Sequence, residues 1–264
     1  MGMSLEVAHL CFGYPDQNIL LQDICFTIRA GETLCLLGPN GSGKTTLLRC
    51  LLAINRPVSG SVSIDECDVR HMSRKKLAQE MAHVPQSAAT AFPFSVFDMV
   101  LMGRTPHLSG FSVASSEDEM RVIRALERVG IAHLKDRSFN EISGGERQLV
   151  LIARALCQEA RVMIMDEPTA SLDYGNQIRI LQIINELRQL GYAIIMSTHN
   201  PDHALLSATH AAIMKNGRII SYGTPDEIIT CRNLSDLYAT KIRVLNASFP
   251  DEPGSEVKVC IPIM

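Results

Sequence analysis

Long apolar runs are missing from this 264-residue sequence: no stretch approaches the roughly eighteen residues that a membrane-crossing helix needs. The opening "MGMSLEVAHL" lacks the basic-then-apolar layout of a secretory leader, so a soluble chain is expected, with any membrane role reached through a partner. An excess of one charge is missing too. The formal net charge of −3 offers no general field for nucleic acid or anionic lipid, and nucleic acid is not an expected partner. Cysteine pairs are absent: Cys11, Cys25, Cys35, Cys50, Cys67, Cys157, Cys231 and Cys260 include no CxxC, and several sit in apolar strand-like runs. They read as small buried hydrophobes in a reducing cytosol. Internal repeats and low-complexity linkers are also lacking, so nothing marks a second independent domain. The length suits one large core with subsidiary lobes.

What is present is strongly patterned. "SLEVAHLCFGY" and "ILLQDICFTI" alternate apolar and polar residues as half-buried strands do, and "ETLCLLG" then runs apolar into a glycine loop. Helical spacing follows in "TTLLRCLLAI", stops near Pro57, and gives way to the strand-like "GSVSIDECDV". The short apolar runs "MAHVP" and "RVMIMDEP" bracket a helix-patterned middle, "FSVFDMVLMG", "EDEMRVIRALERVG" and "EISGGERQLVLIARALCQ". That middle reads as a helical lobe inserted between sheet strands. "YAIIMSTHN" is another buried strand, "HAAIMKNGRIISYG" a strand–turn–strand with Asn216 and Gly217 at the turn, and the tail from Lys241 a small terminal hairpin.

Gly38 to Thr45 fits GxxxxGK[ST] between a strand and a helix, the context this pattern requires. Gly38, Gly41 and Gly43 let backbone N–H groups converge on phosphate oxygens at a positive helix end; Lys44 reaches the β- and γ-phosphates, and Thr45 is placed to ligate Mg²⁺. Four apolar residues ending in Asp166 put that carboxylate at a strand tip beside the loop, where it would hold Mg²⁺ through its water shell. Glu167, one residue on, is the candidate general base. His199 ends another strand at the same carboxyl edge and is read as a γ-phosphate contact. Pro201 as the first residue of a helix leaves His199 outside it, which argues against a His199/His203 zinc pair. Gln86 ends a third strand at the entrance to the lobe, where its amide could touch Mg²⁺ or the attacking water. A second phosphate cradle precedes "RQLVLIARAL": Ser143, Gly144 and Gly145 offer a hydroxyl and bare amides at another helix N-terminus. One chain is not expected to fold both cradles onto one triphosphate.

At these residues the chain resembles the nucleotide-binding subunit of ABC transporters, over essentially its whole length. The resemblance implies an α/β fold: a P-loop NTPase core with a RecA-like sheet flanked by helices, an N-terminal antiparallel β subdomain and an inserted helical subdomain at about 88–160. The ATPase domain would span 1–240 and the hairpin-like extension 241–264. It assigns ATP to the loop from Gly38 through Pro39, Asn40, Gly41, Ser42, Gly43, Lys44 and Thr45 to Thr46, and adenine stacking to Tyr14. Gln86, Asp166, Glu167 and His199 complete the hydrolytic set, and Asp173 of "SLD" lies at a dimer interface. Two copies would pair head to tail, Ser143, Gly144 and Gly145 of one closing on the ATP of the other. The signature reads "ISGGE", where leucine and glutamine are the commoner end residues. Glu146 suits the helix dipole but adds negative charge beside the cradle.

"FPFSVFDMVLMGRTPHL" and the tail after Leu237 resemble importers of iron–siderophores, haem, cobalamin or, in a related branch, molybdate or tungstate. Two permease subunits would meet the lobe near Ser95 to His107 at the cytoplasmic face of the inner membrane, and an outside binding protein would deliver cargo. A soluble ABC-type ATPase of DNA repair or translation is the alternative; it would carry a long coiled coil or a second cassette, and neither is present. A GTPase lacks its NKxD-type reader here, and a small-molecule kinase leaves the second cradle without a purpose.

Overall fold

Alternation decides which side of the central sheet each residue serves. The computed structural model describes residues 3–15, 18–88, 92–108, 113–248 and 256–263. The chain begins with the antiparallel strands β1 (Ser4–Phe12) and β2 (Leu21–Arg29), then the fully buried β3 (Thr33–Leu37) and α1 (Lys44–Leu51). β4 (Ser59–Ile64), the two-residue β5 (Cys67–Asp68), α2 (Arg74–Glu80) and β6 (Met81–Val84) follow. The helical lobe comprises α3 (Val96–Leu101), α4 (Ser116–Arg128) and α5 (Gly144–Cys157). The chain then returns through β7 (Val162–Met165), α6 (Tyr174–Gln189), β8 (Ala193–Thr198), α7 (Pro201–Ser207), β9 (His210–Lys215) and β10 (Arg218–Gly223). It ends with α8 (Pro225–Ile228), α9 (Cys231–Tyr238), β11 (Ile242–Ser248) and β12 (Glu256–Pro262). The turn between β11 and β12 lies outside the described residues, as do parts of the lobe's expected span.

The six-stranded sheet has the order β10-β9-β3-β8-β7-β6, parallel except for its terminal hairpin β9–β10. Parallel strands covered on both faces read as unbroken apolar runs, which is why "TLCLL", "VMIM" and "AIIM" show no polar alternation. Cys35 and Leu37 of β3 turn toward a core shared with the helical lobe, whereas Leu34 and Leu36 turn toward a second core beneath α1 and the four-stranded sheet β2-β1-β4-β5. Met163 and Met165 against Val162 and Ile164 repeat the division on β7. At the tip of β9–β10, Asn216 and Gly217 both take positive φ, 50° and 73°, the geometry of a two-residue hairpin turn.

The lobe is fastened by a buried cation. Arg104, in the turn after α3, donates from Nε to Asp118 Oδ1 at 2.8 Å and from Nη1 to the Cys157 carbonyl and to Glu159 Oε2, both at 2.8 Å. Asp118 also closes a capping box with Ser115 at the start of α4. The Ser115 hydrogen bonds, then Arg104, pull the Asp118 carboxyl down from 3.8 to about 2. A carboxylate depressed by folding stabilises the fold above its ordinary pKa, and that contribution is lost as pH falls from about 4 toward 2. Replacing Arg104 by Ala leaves Asp118 with only its Ser115 partners and unties α3 from α4 and α5, which should cost about 3 kcal/mol in urea unfolding. A loss below about 1 kcal/mol would show that this tie does not hold the three helices together.

Burial corrects one sequence expectation. Cys35, Cys50 and Cys157 are buried, and burial pushes their thiols up to about 12, about 12 and about 11. Cys25, Cys67 and Cys231, however, are exposed, and Cys11 and Cys260 are half-buried. Strand membership alone does not bury a side chain, because alternate positions face outward.

Candidate functional site

The glycine loop begins where β3 ends. A Cβ on Gly38 would lie 2.5 Å from the Met214 carbonyl oxygen, so the loop can leave the sheet edge only as glycine. Gly41 and Gly43 follow at φ 81° and 105°, and Gly43 caps α1 without a side chain, leaving the first amides of that helix facing the loop. Lys44 is folded back inside: its Nζ donates to the carbonyls of Gly38 at 2.7 Å and Pro39 at 3.2 Å and lies 3.5 Å from Glu167 Oε1.

Two neighbouring strand ends supply the acids. Thr45 Oγ1 donates to Asp166 Oδ1 at 3.2 Å, and the Ser197 hydroxyl of β8 donates to the same oxygen at 2.7 Å. Ser197 Oγ also accepts from the Glu167 N–H at 2.9 Å. Glu167 has φ 44°, a left-handed conformation unusual for a residue with a side chain, and its two oxygens approach Lys44 Nζ and, at 3.2 Å, His199 Nδ1. One corner at the carboxyl edge of the sheet therefore gathers Lys44, Thr45, Asp166, Glu167 and His199. A small cleft beside it is lined by Glu167, Ser171, Gln177, His199 and Asn200. Thr45 and Asp166 are hard oxygen donors side by side, the donor set that Mg²⁺ takes.

His203 belongs to a different network. Its Nδ1 meets Thr169 Oγ1 at 3.1 Å and Thr198 Oγ1 at 3.2 Å, and its Nε2 meets Asn200 Nδ2 at 3.2 Å. Burial depresses its pKa, which favours the neutral ring in that setting. It braces the loop that carries His199. Tyr238 of α9 braces the same loop, donating from its hydroxyl to the His199 carbonyl at 2.6 Å. Ser197 and Tyr238 belong to the site without any motif that marks them in the sequence. For Ser197 the available signal was a hydroxyl two residues before His199 in a buried strand; Tyr238 had none.

The second cradle makes its bonds elsewhere. Ser143 caps α5 in a full capping box: its hydroxyl donates to Glu146 Oε2 at 2.7 Å and accepts from the Glu146 N–H at 3.3 Å, while the Ser143 N–H donates to the same carboxylate at 2.8 Å. These bonds hold the Glu146 carboxyl below its ordinary range. Ser143 and Gly144 are exposed, and a Cβ on Gly144 would find only the Leu172 side chain, at 4.0 Å. Gly145 is different: a Cβ there would sit 2.7 Å from the Asn176 side chain. Asp173, the cap of α6, accepts from Asn176 at both its N–H and its Nδ2, which lowers the Asp173 pKa and holds the Asn176 side chain where it packs against Gly145 of the cradle's helix. Gln86 is exposed just beyond β6, and Tyr14 is partly exposed with its ring edge-on to Phe12, centroids 5.0 Å apart.

Comparison with known proteins agrees with this layout. The ABC transporter family matches residues 21–170, more than half of the sequence, and that span runs from β2 through the glycine loop, the second cradle and both acids. The chain belongs to the ABC transporter family. It is 40% identical to an ABC transporter ATP-binding protein of Haemophilus influenzae over 92% of each chain. It is 33% identical to the ferric enterobactin transport ATP-binding protein FepC of Escherichia coli, over 98% of this chain and 94% of that one. Among solved structures, a metal-chelate type ABC transporter in an inward-facing conformation superposes with TM-score 0.89 at 31% identity, covering 100% of this chain and 98% of the other. The expected α/β cassette, its antiparallel subdomain and its place among ATP-binding transport subunits all stand.

Proposed function

We propose that the chain is the ATP-hydrolysing subunit of a binding-protein-dependent importer, and that its cargo is a metal chelate. The observation that carries this reading is the separation of two cradles: Lys44, Thr45, Asp166, Glu167 and His199 share one corner, while Ser143 and Gly144 stand exposed at the start of α5, the Ser143 bonds directed to Glu146 of that helix. The likeness to FepC and to the metal-chelate transporter supports the cargo class.

In this reading the amides of Gly38 to Thr46, with Pro39, Asn40 and Ser42 shaping the loop, surround the phosphates, and Tyr14 stacks on adenine. Lys44 exchanges its carbonyl partners for β- and γ-phosphate oxygens. Thr45, Asp166 and Gln86 would hold Mg²⁺, which neutralises phosphate charge when bound. Leaving Lys44 frees Glu167 to accept a proton from water in line with the γ-phosphate, and His199 contacts that phosphate from the other side. Ser143, Gly144 and Gly145 of a second copy close the site, and Asp173 lies where the copies meet. Two permease subunits dock near Ser95 to His107 at the cytoplasmic face of the inner membrane, and the binding protein acts through them.

Basal ATPase activity of the purified chain should rise more than linearly with its concentration, because two chains make each site; strictly linear turnover would contradict pairing. Glu146 should oppose that pairing. Its carboxylate holds the Ser143 hydroxyl and sets a negative charge beside an incoming triphosphate. Glu146→Gln keeps a capping-box side chain and removes the charge, so half-maximal activity should come at about fivefold lower protein concentration, equivalent to about 1 kcal/mol. An unchanged or higher midpoint would show that the carboxylate does not face the phosphate.

A further inference from the structure

The exposed cysteine of β2 does not stand alone. Strands β1 and β2 pair in register at Val7↔Phe26 and Leu10↔Ile24, so Ala8 and His9 together oppose Cys25; between Leu10↔Ile24 and Phe12↔Leu21, Cys11 opposes Gln22 and Asp23. Two reciprocal bulges thus lie side by side. Each places a non-glycine residue at left-handed φ, His9 at 50° and Asp23 at 53°. In each the extra amide is taken by sulfur: the His9 N–H donates to Cys25 Sγ at 3.1 Å and the Asp23 N–H to Cys11 Sγ at 3.3 Å. Bulges turn side chains that regular pleating would send apart onto one face. Gly60 of β4 accommodates the first: a Cβ there would come within 2.3 Å of the His9 carbonyl oxygen.

The outcome is a compact donor set on the outer face of the antiparallel sheet. His9 Nδ1 lies 2.8 Å from Asp23 Oδ1, Cys25 Sγ lies 3.7 Å from His9 Nδ1 and 4.0 Å from Asp23 Oδ1, and all three are exposed. We propose that His9, Asp23 and Cys25 form a site for one borderline-soft divalent cation of the Zn²⁺ class.

Three arguments converge on that ion. Zinc takes imidazole, carboxylate and thiolate at about 2.0–2.3 Å, so the edges of its tetrahedron measure about 3.3–3.8 Å, and the present separations bracket that range. A Cys25 thiolate, an Asp23 carboxylate and a neutral His9 bring two negative charges against a dication. Mg²⁺ and Ca²⁺ prefer oxygen ligands and do not compete for a thiolate site. Binding forms a metal–sulfur bond and sends the Cys25 thiol proton to solvent, and water fills the remaining coordination. None of these residues belongs to the glycine loop, the acidic strand end or the second cradle, so the site is separate from ATP chemistry.

Co²⁺ titration of the full, reduced chain tests the proposal, since a thiolate bound to Co²⁺ gives a near-ultraviolet charge-transfer band that oxygen and nitrogen ligands do not. The expected result is a band saturating at one Co²⁺ per chain, bleached by an equivalent of Zn²⁺ and accompanied by proton release. Cys25→Ser and His9→Ala should each weaken binding by about a hundredfold or more, whereas Cys67→Ser should leave it unchanged. Asp23→Asn, a milder change, carries the same expectation if either of the first two variants melts early. All four variants should retain basal ATPase activity, so failure of this site and failure of the nucleotide assignment give different readouts. No charge-transfer band in the native chain, or a band undiminished by Cys25→Ser, would overturn the assignment.

Discussion

Glu167→Gln should lower steady-state ATP hydrolysis by about 10²–10⁴-fold, the range that a lost general base commands, while ATP affinity stays within a few fold. The substitution keeps the shape of a side chain set between Lys44 and His199 and removes only the charge that accepts the proton. Glu167 has its backbone held by Ser197 and its φ in the left-handed region, so the amide should occupy the same place. Binding without turnover should then trap the closed pair, seen as an ATP-dependent dimer by size exclusion. Phosphate release near the native rate would remove Glu167 from the role of base, whatever its geometry.

Gly144→Asp should be the second large effect, with hydrolysis reduced to background and the fold intact. A Cβ at this position meets nothing closer than Leu172 at 4.0 Å, and the new carboxylate lies at the first residue of α5, where the helix dipole favours negative charge. Stability should therefore hold or rise slightly. The same charge would face the triphosphate carried by the opposing copy, and repulsion there removes the closed state. ATP binding by the unpaired chain should be native, because the glycine loop and Lys44 are untouched. Retained activity would mean that Gly144 never meets a phosphate.

Much of this was legible from residues because buried parallel strands announce themselves. "TLCLL", "VMIM" and "AIIM" are buried and almost wholly apolar, and each strand leads directly into the candidate site, at Gly38, Asp166 and His199, which makes the carboxyl edge legible from sequence. The hairpin at Asn216 and Gly217 is legible from turn chemistry, whereas the full capping box between Ser143 and Glu146 emerges only in the fold. Features that rest on contacts between distant segments were not legible. Ser197 couples to both acids only because β7 and β8 are neighbours in the sheet, and Tyr238 reaches the His199 carbonyl across 39 residues. Cys25 lies outward between buried Ile24 and Phe26, where plain alternation puts it, whereas a period-two reading of "VAHLC" fails because the bulge at His9 resets the faces that Leu10 and Cys11 take.

If each site is completed by a second chain, two variants that are inactive alone should restore activity to one another when mixed. Lys44→Ala lacks a working loop but keeps its second cradle; Gly144→Asp has the reverse defect. A heterodimer of the two contains one site with both an intact loop and an intact cradle. Combined at equal concentration, they should hydrolyse ATP well above the sum of their separate rates. A mixture no more active than that sum, with heterodimers demonstrably present, would contradict the claim.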